Sequence, residues 1–334
     1  MKECEVNLLF TSSGRRVALI KKFQETLLRC QIDGKIVTTD LKNTAPSAFY
    51  SDRHYLVPGV TEKNYVSELL KICMLENIKL LIPLIDTELL ILVRNKERFE
   101  EIGVKLFLSS QKLNELANDK IKTYEFFIQN NIPSPKVYSE DELKEAVYQF
   151  PLLIKPRDGS SSRGVLKIKN QKELDFFKEY IPNAMVQEFI HGTEFTVDVM
   201  LDFYGNIKTI VPRERIETRA GEVSKGITRK DFDLISATEM VIKKLPGAVG
   251  CITLQCFKKE TGEITFIEIN PRFGGGIPLS IEAGANFPLW TIEMLSGMNF
   301  KETDFSWKEN LTMLRFDEAI FTENIGHEYK SHCI

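Results

Sequence analysis

The segment Phe266-Ile267-Glu268-Ile269-Asn270-Pro271-Arg272 sets a carboxylate, a carboxamide and a guanidinium at alternate positions of an apolar run. In a strand, residues i and i+2 share a face, so Glu268 and Asn270 point the same way. Burying that carboxylate is costly unless it is paired or holds a cation. Arg272, two residues on, offers a fork suited to phosphate. A hairpin turned between Thr261 and Gly262 puts Gln255 opposite Glu268 and Thr253 opposite Asn270. Gln255, Glu268 and Asn270 then form an oxygen-rich face of the kind Mg²⁺ takes. No Cys or His belongs to the group, which argues against zinc. The spacing equally allows a Glu268–Arg272 salt bridge with Gln255 as its hydrogen-bond neighbour.

Two glycine-containing turns are the other candidates. In Asp158-Gly159-Ser160-Ser161-Ser162-Arg163-Gly164 the outer glycines have Walker A spacing, but Val165-Leu166 follow where Lys and Ser or Thr are required. Strand patterns on both sides make this a hairpin tip whose small residues let backbone N–H groups approach an anion. Lys155 just upstream adds a point charge, and a solvated hairpin turn is the plain alternative. Thr11-Ser12-Ser13-Gly14-Arg15-Arg16 joins a strand to a helix, a place where anions can bind. Asp40, at the end of the next strand, could mimic a ribose-binding acid. One glycine stands where G-x-G-x-x-G is needed, so an ordinary βα turn facing substrate is favoured and a nicotinamide dehydrogenase is excluded.

The elements that must carry these groups change character along the chain. Apolar runs at 6–10, 35–39, 55–57, 80–84 and 105–108 read as strands, and 17–30, 65–76 and 87–101 have helical spacing. Such β-α-β-α order implies a parallel sheet with helices on its faces. A helical stretch, 110–130, ends before Ile132-Pro133-Ser134-Pro135, and 141–150 reads as another helix. Strand pairs follow: 152–156 with 165–168, 185–188 with 195–201, then 207–212. A helix at 231–245 precedes a hairpin of 251–257 with 264–270, and 277–285 and 288–295 look helical. The last thirty or so residues are polar and give no clear pattern.

Composition bounds the rest. The 334 residues carry 44 Lys and Arg against 47 Asp and Glu, a net charge of −3, with 43% hydrophobic and 27% charged residues. The length suggests about two domains, and the balance excludes a disordered chain and a strongly basic nucleic-acid binder. No run approaches the roughly 20 apolar residues of a membrane span, and the N-terminus offers no export signal. The scattered cysteines, with no C-x-x-C pair, read as reduced thiols. The expectation is a cytoplasmic protein, with no nucleic-acid or membrane partner.

The motifs together resemble the ATP-grasp superfamily, and more narrowly the enzymes related to the carbamoyl-phosphate synthetase large subunit. The resemblance covers roughly residues 110–300. It implies an α/β chain in which a Rossmann-like pre-ATP-grasp domain (1–109) precedes a two-lobed α+β ATP-grasp domain (110–300). Its small lobe would be about 120–190 and its large lobe about 191–300, with a C-terminal extension at 301–334. It implies roles residue by residue. Lys120 and Lys155 match the phosphate-contacting cations. Gly159, Ser160, Ser161 and Gly164 belong to the loop that closes over the phosphates. Gln187, Glu188, Phe189 and Ile190 match the hinge that reads adenine, with His191 only their neighbour. Glu194 matches the ribose-binding acid, Gln255, Glu268 and Asn270 the metal ligands, and Arg272 a phosphate contact.

ATP and Mg²⁺ (Mn²⁺ as the alternative ion) are the cofactors so implied. The activity implied is a carboxylate–amine ligation through an acyl phosphate, on small-molecule carboxylate and amine substrates, with a homodimer by analogy. The rival is an ATP-binding regulatory or scaffold protein without turnover. The chain has room for one ATP-grasp unit, whereas the synthetase subunit has two. Phe273-Gly274-Gly275-Gly276-Ile277 also replaces the synthetase's usual continuation, which places a second substrate near the glycines. Basic residues from Val211 to Lys225 read as a loop, where Arg213 and Arg215 are expected to help hold the acyl substrate; a solvated charged loop is the alternative.

Overall fold

The computed structural model describes residues 5–158, 164–298 and 300–323. The chain opens with β1 (Asn7–Thr11), α1 (Val17–Arg29), β2 (Ile36–Asp40), β3 (Arg53–Leu56), α2 (Tyr65–Leu75), β4 (Ile78–Pro83), α3 (Asp86–Arg94), α4 (Lys96–Glu100) and β5 (Lys105–Leu106). All five strands run parallel in the order β3-β2-β1-β4-β5. β1 is buried along its whole length, as a strand covered on both faces must be. α1 packs one stripe, Leu19, Ile20, Phe23 and Leu27, at helical spacing. The order reverses between β1 and β4, so the turns leaving their C-terminal ends flank a crevice, the usual binding position in such sheets. The expected helix at 87–101 is broken at Asn95, whose side chain bonds back to Ile91 O (2.9 Å) and so competes with helix continuation.

Next come α5 (Gln111–Ala117), α6 (Lys120–Gln129), β6 (Val137–Tyr138), α7 (Glu140–Lys144), β7 (Leu152–Pro156), β8 (Leu166–Ile168), α8 (Gln171–Tyr180) and β9 (Ala184–Glu188). Four of these strands form an antiparallel sheet, β6-β9-β7-β8. The helix expected at 141–150 is the single turn-and-a-half of α7. Ser139 caps it in a capping box, and Ala146 then takes a left-handed conformation (φ 53°) that ends it. α8, which the sequence reading missed, starts at an Asn170 cap.

The remainder is β10 (Thr193–Leu201), β11 (Ile207–Arg219), β12 (Glu222–Thr228), α9 (Phe232–Lys244), β13 (Gly250–Lys258), β14 (Ile264–Asn270), α10 (Ile277–Glu282), α11 (Phe287–Glu293) and β15 (Thr312–Leu314). Its six strands form an antiparallel sheet in the order β14-β13-β10-β11-β12-β15. Two expectations are corrected here. Segments 185–188 and 195–201 do not pair: β9 belongs to the four-stranded sheet and β10 to the six-stranded one. The basic stretch 211–225 is not a loop but most of the β11–β12 hairpin. The polar C-terminal stretch adds β15 at the sheet edge and buries Trp307.

Aromatic packing locks the first unit to the large sheet. The Phe273 ring stacks on Phe107 at 5.4 Å and meets Phe23 edge-on at 5.9 Å. The residue after Arg272 is therefore anchored in the core that underlies the parallel sheet. Among the described residues, no helix is long and apolar enough to cross a membrane.

Candidate functional site

Alternation along four adjacent strands builds the site on one face of the six-stranded sheet. Asn270 pairs with Thr253 and Glu268 with Gln255. Gln255 and Thr253 pair in turn with Thr196 and Asp198 of β10, and Thr196 faces Arg213 of β11. The sheet thus carries its carboxylate and amides at one edge and its arginines about 14 Å away, three strand spacings across. The Gln255/Glu268 register matches the sequence expectation, but not for the simple reason. Pairing near the turn is one residue out of step, and an irregularity between Gln255 and Cys256 restores it.

The face forms the floor of a cleft of about 320 Å³, within the usual size of small-molecule sites. Lys155 of β7 and Gln187 and Glu188 of β9, from the four-stranded sheet, line it too, with Phe189 and Ile190 of the link into β10. Lys120, Glu194, Arg213, Arg215, Gln255, Glu268, Asn270 and Arg272 complete the expected residues found there. Gly164 is not among the lining residues; it sits against Pro156 with φ 72°. Gly159, Ser160 and Ser161 lie outside the described residues. His191 is exposed, its ring edge-on to Phe189.

The half-buried Glu268 carboxylate and the Gln255 carboxamide make no hydrogen bond or ion pair among the described residues. The Glu268–Arg272 salt bridge that the spacing allowed is not formed. Arg272 instead grips Asp86, the first residue of α3, through Nε (2.7 Å) and Nη2 (2.6 Å), and Nη2 also donates to Asn270 Oδ1 (3.2 Å). Burial alone would pull the Arg272 guanidinium down, but Asp86, with a further contribution from the charge of Glu268, holds it above its ordinary value. A half-buried carboxylate beside two amide oxygens, with no protein cation on it, is a donor set that fits a hard divalent ion.

Lys155, 8% exposed, is lowered to about 8 by burial, partly countered by the charge of Glu268 and reinforced by Lys120. Lys120 opens α6 behind its Asp119 cap, and Asp119 is clamped by Arg157 at 2.8 and 2.6 Å.

The arginines of β11 are already engaged. Arg213 Nε and Nη2 hold the fully buried Asp198 at 2.6 and 2.9 Å, and Ser280 Oγ donates to the same carboxylate at 2.6 Å. Among the described residues the Arg213 Nη1 is buried without a hydrogen-bond partner, pressed under Gly276, where a Cβ would come within 2.2 Å of it. Arg215 Nε lies 3.1 Å from Glu194, and its other nitrogens donate to Thr196 Oγ1 (3.2 Å) and Gly221 O (3.1 Å). Burial pushes the Glu194 carboxyl up, with Arg215 opposing and Glu268 adding to the rise.

Sequence reasoning missed what the first unit contributes. Asp40 is occupied by the Gly14 N–H (2.8 Å) and the Lys42 N–H (3.1 Å), so it closes its own turn. The fully buried Glu88 accepts from Ser12 Oγ (3.0 Å), Tyr65 Oη (2.6 Å) and the Leu84 N–H (2.9 Å). It thereby ties together the turns after β1 and β4, and these deliver Arg16 and Asp86 towards the cleft. Their position after strand ends was the one available signal. Glu222 at the start of β12 also lines the cleft.

With that geometry in hand, likeness to known proteins can be weighed. Residues 117–276 match the ATP-grasp domain family and residues 8–107 the PylC-like N-terminal domain family. The chain therefore carries an ATP-grasp domain behind a PylC-like N-terminal domain. Over 228 residues it is 26% identical to a carbamoyl-phosphate synthase of Methanobrevibacter smithii, covering 61% of this chain and 60% of that one. Over 154 residues it is 27% identical to a D-alanine–D-alanine ligase of Petrotoga mobilis, covering 44% and 51%. The chain thus spans between half and two thirds of the length of these relatives. Among solved structures, the biotin carboxylase domain dimer of Hydrogenobacter thermophilus 2-oxoglutarate carboxylase, in complex with MgADP, ADP and bicarbonate, aligns with a TM-score of 0.73. The identity is 18%, with 91% of this chain and 73% of that one covered. That likeness is one of fold: a parallel-sheet unit followed by antiparallel sheets.

Proposed function

We propose that this chain is an ATP-dependent ligase that activates a small carboxylate as an acyl phosphate and joins it to an amine. The observation that carries the reading is the Glu268–Gln255 pair, without side-chain partners among the described residues, with Asn270 beside it and the buried cation of Lys155 in the same cleft. Gln255, Glu268 and Asn270 would hold Mg²⁺, or Mn²⁺, and the ion would screen the phosphate charge there. Lys120 and Lys155 neutralise the polyphosphate. The 187–190 link reads adenine, and Glu194 receives the ribose. Arg272, fixed by Asp86, orients the phosphoryl group in flight, a transfer that depends on positioning and electrostatics.

A substrate carboxylate oxygen attacks the terminal phosphorus and ADP leaves. An amine nitrogen then attacks the acyl carbon, inorganic phosphate leaves and the amine loses a proton. Arg213 and Arg215, fixed in ion pairs, shape the acyl pocket beside the glycine segment. The domain families and the ligases among the relatives support this chemistry, while the identities of both substrates lie beyond it. The described cysteines are unpaired, in keeping with work in the cytoplasm, and the dimeric neighbour supports a homodimer.

The test is ADP release from ATP and Mg²⁺ with pooled amino acids and other small carboxylates. Acceptor-stimulated release is expected. Tight ATP binding with no stimulation by any pool would replace the ligase by a nucleotide-binding scaffold.

A further inference from the structure

Four arginines line the cleft, and three are committed to carboxylates of the protein: Arg213 to Asp198, Arg215 to Glu194 and Arg272 to Asp86. The fourth, Arg16, ends the turn after β1. Among the described residues its half-buried guanidinium makes no hydrogen bond and no ion pair within 4 Å. Glu222 makes no ion pair with it within 4 Å but acts on it through its charge, as Arg16 acts on Glu222. Arg315 Nη1 donates to Glu222 Oε2 at 3.2 Å, and Arg15 lies 4.0 Å from the same oxygen. Three guanidiniums therefore share one carboxylate, and the one that faces the cleft is the one without an ion pair to it.

The glycine segment is built around this group. A Cβ at Gly275 would meet Arg16 Nη1 at 2.9 Å, and one at Gly276 would meet Arg213 Nη1 at 2.2 Å. Glycine at these positions lets two guanidiniums lie directly against backbone. Burial and the neighbouring Arg272 lower the Arg16 guanidinium to about 10. A cation so desolvated and so crowded by positive charge gains from an incoming anion. The polyphosphate lysines are not among its electrostatic neighbours, while Arg272 is. Lys155 feels Glu268 and Lys120, whereas Arg16 feels Arg272, Glu222, Asp86 and Arg315. Arg16 also emerges at the strand-order reversal, where ligands of parallel sheets sit.

We propose that Arg16 is the receptor for the anionic group, carboxylate or phosphate, of the non-nucleotide substrate, held at the glycine segment beside Arg272. This rests on the ligase reading for the meaning of "substrate", and it assigns the first unit a binding role. Arg15 and Arg315 act indirectly: they share Glu222 with Arg16, so its charge offsets that of Arg16 only in part. The β15 segment thus contributes to specificity from outside the cleft.

Calorimetric titration of the full chain with MgADP tests it, using alanine, succinate and O-phosphoserine as probes. At least one probe should bind wild type, and Arg16→Gln should weaken that binding tenfold or more, the loss of a charge-assisted contact. Arg16→Lys should recover part of it, and melting temperatures of both variants verify folding. Alanine or succinate as the probe lost identifies a carboxylate, and O-phosphoserine alone a phosphate. Equal binding by wild type and Arg16→Gln, or no probe bound by wild type, overturns the assignment. ADP release from MgATP, measured with the same probes and the same proteins, separates the two readings. Turnover indifferent to Arg16→Gln sinks the receptor and leaves the ligase. Probe binding lost in the variant, with no turnover in wild type, sinks the ligase and leaves the receptor.

Discussion

Asp86 and Arg272 stand 186 residues apart and meet through two parallel N–H···O contacts of 2.7 and 2.6 Å. One comes from the first turn after β4, the other from the end of β14. Asp86→Asn keeps the shape and removes the charge, leaving a largely buried guanidinium without its counter-ion. Both side chains retain some exposure, 13% for Arg272 and 24% for Asp86, so the cost is set below that of a sealed pair, at about 2–3 kcal/mol. Urea unfolding should show a lower midpoint at unchanged slope. Turnover should fall further than stability accounts for, because Arg272 loses its orientation. A variant as stable and as active as wild type would remove Arg272 from the mechanism.

Glu268→Gln should behave oppositely. Among the described residues the carboxylate has no partner to lose, so the melting temperature should stay within a few degrees, about the effect of 1 kcal/mol. Mg²⁺-dependent ADP release should disappear, and the Mg²⁺ concentration needed for nucleotide binding should rise by tenfold or more. Full activity in this variant would refute the metal site.

Lys155 gives a two-sided pH prediction. Its charged form, which polyphosphate needs, is lost as pH rises through about 8. Nucleotide affinity should therefore fall between pH 7.5 and 9, with proton uptake on binding at the upper end. Stability runs the other way. The folded-state value lies below the unfolded one, so the unfolded chain binds more protons between about 8 and 10.5. This residue's contribution then grows with pH across that window. Subtracting the profiles of Lys155→Met isolates both effects, and flat difference profiles would contradict the burial of this charge.

The legible parts of the molecule were those with local signals. Glu268 and Asn270 interrupt an apolar strand, and that alone marked the face they share. The alternating runs that became β9 and β10 were legible as strands but not as members of different sheets, because alternation reports burial and says nothing of the neighbour. The far half of β11 was misread because its last four residues are exposed, so no apolar partner positions betrayed a strand. Arg272 was recognised while its counter-ion was not. Asp86 becomes its neighbour only through the packing of Phe273 against Phe107 and Phe23, a contact that no sequence spacing encodes. The same holds for Arg16, brought in by Glu88 tying two turns together.

Arg215 is the residue on which sequence and structure make opposed forecasts. Placed in a loop with the acyl substrate, it should cost turnover more than nucleotide affinity when removed. In the structure it lies 3.1 Å from Glu194 and holds that carboxyl down against burial and the charge of Glu268. Arg215→Ala releases this restraint, and the Glu194 carboxyl rises further and is protonated over more of the acid range. If Glu194 receives the ribose, nucleotide binding should weaken about five- to tenfold at pH 6, the loss of one hydrogen bond to a charged acceptor. It should recover as pH rises and Glu194 ionises. The wild type should show a smaller acid-side loss, displaced to lower pH. Fluorescence titration with a labelled ADP at pH 6 and pH 8 distinguishes the cases. Equal affinity at both pH values, with turnover alone reduced, would confine Arg215 to the acyl pocket and leave Glu194 without a role in nucleotide binding.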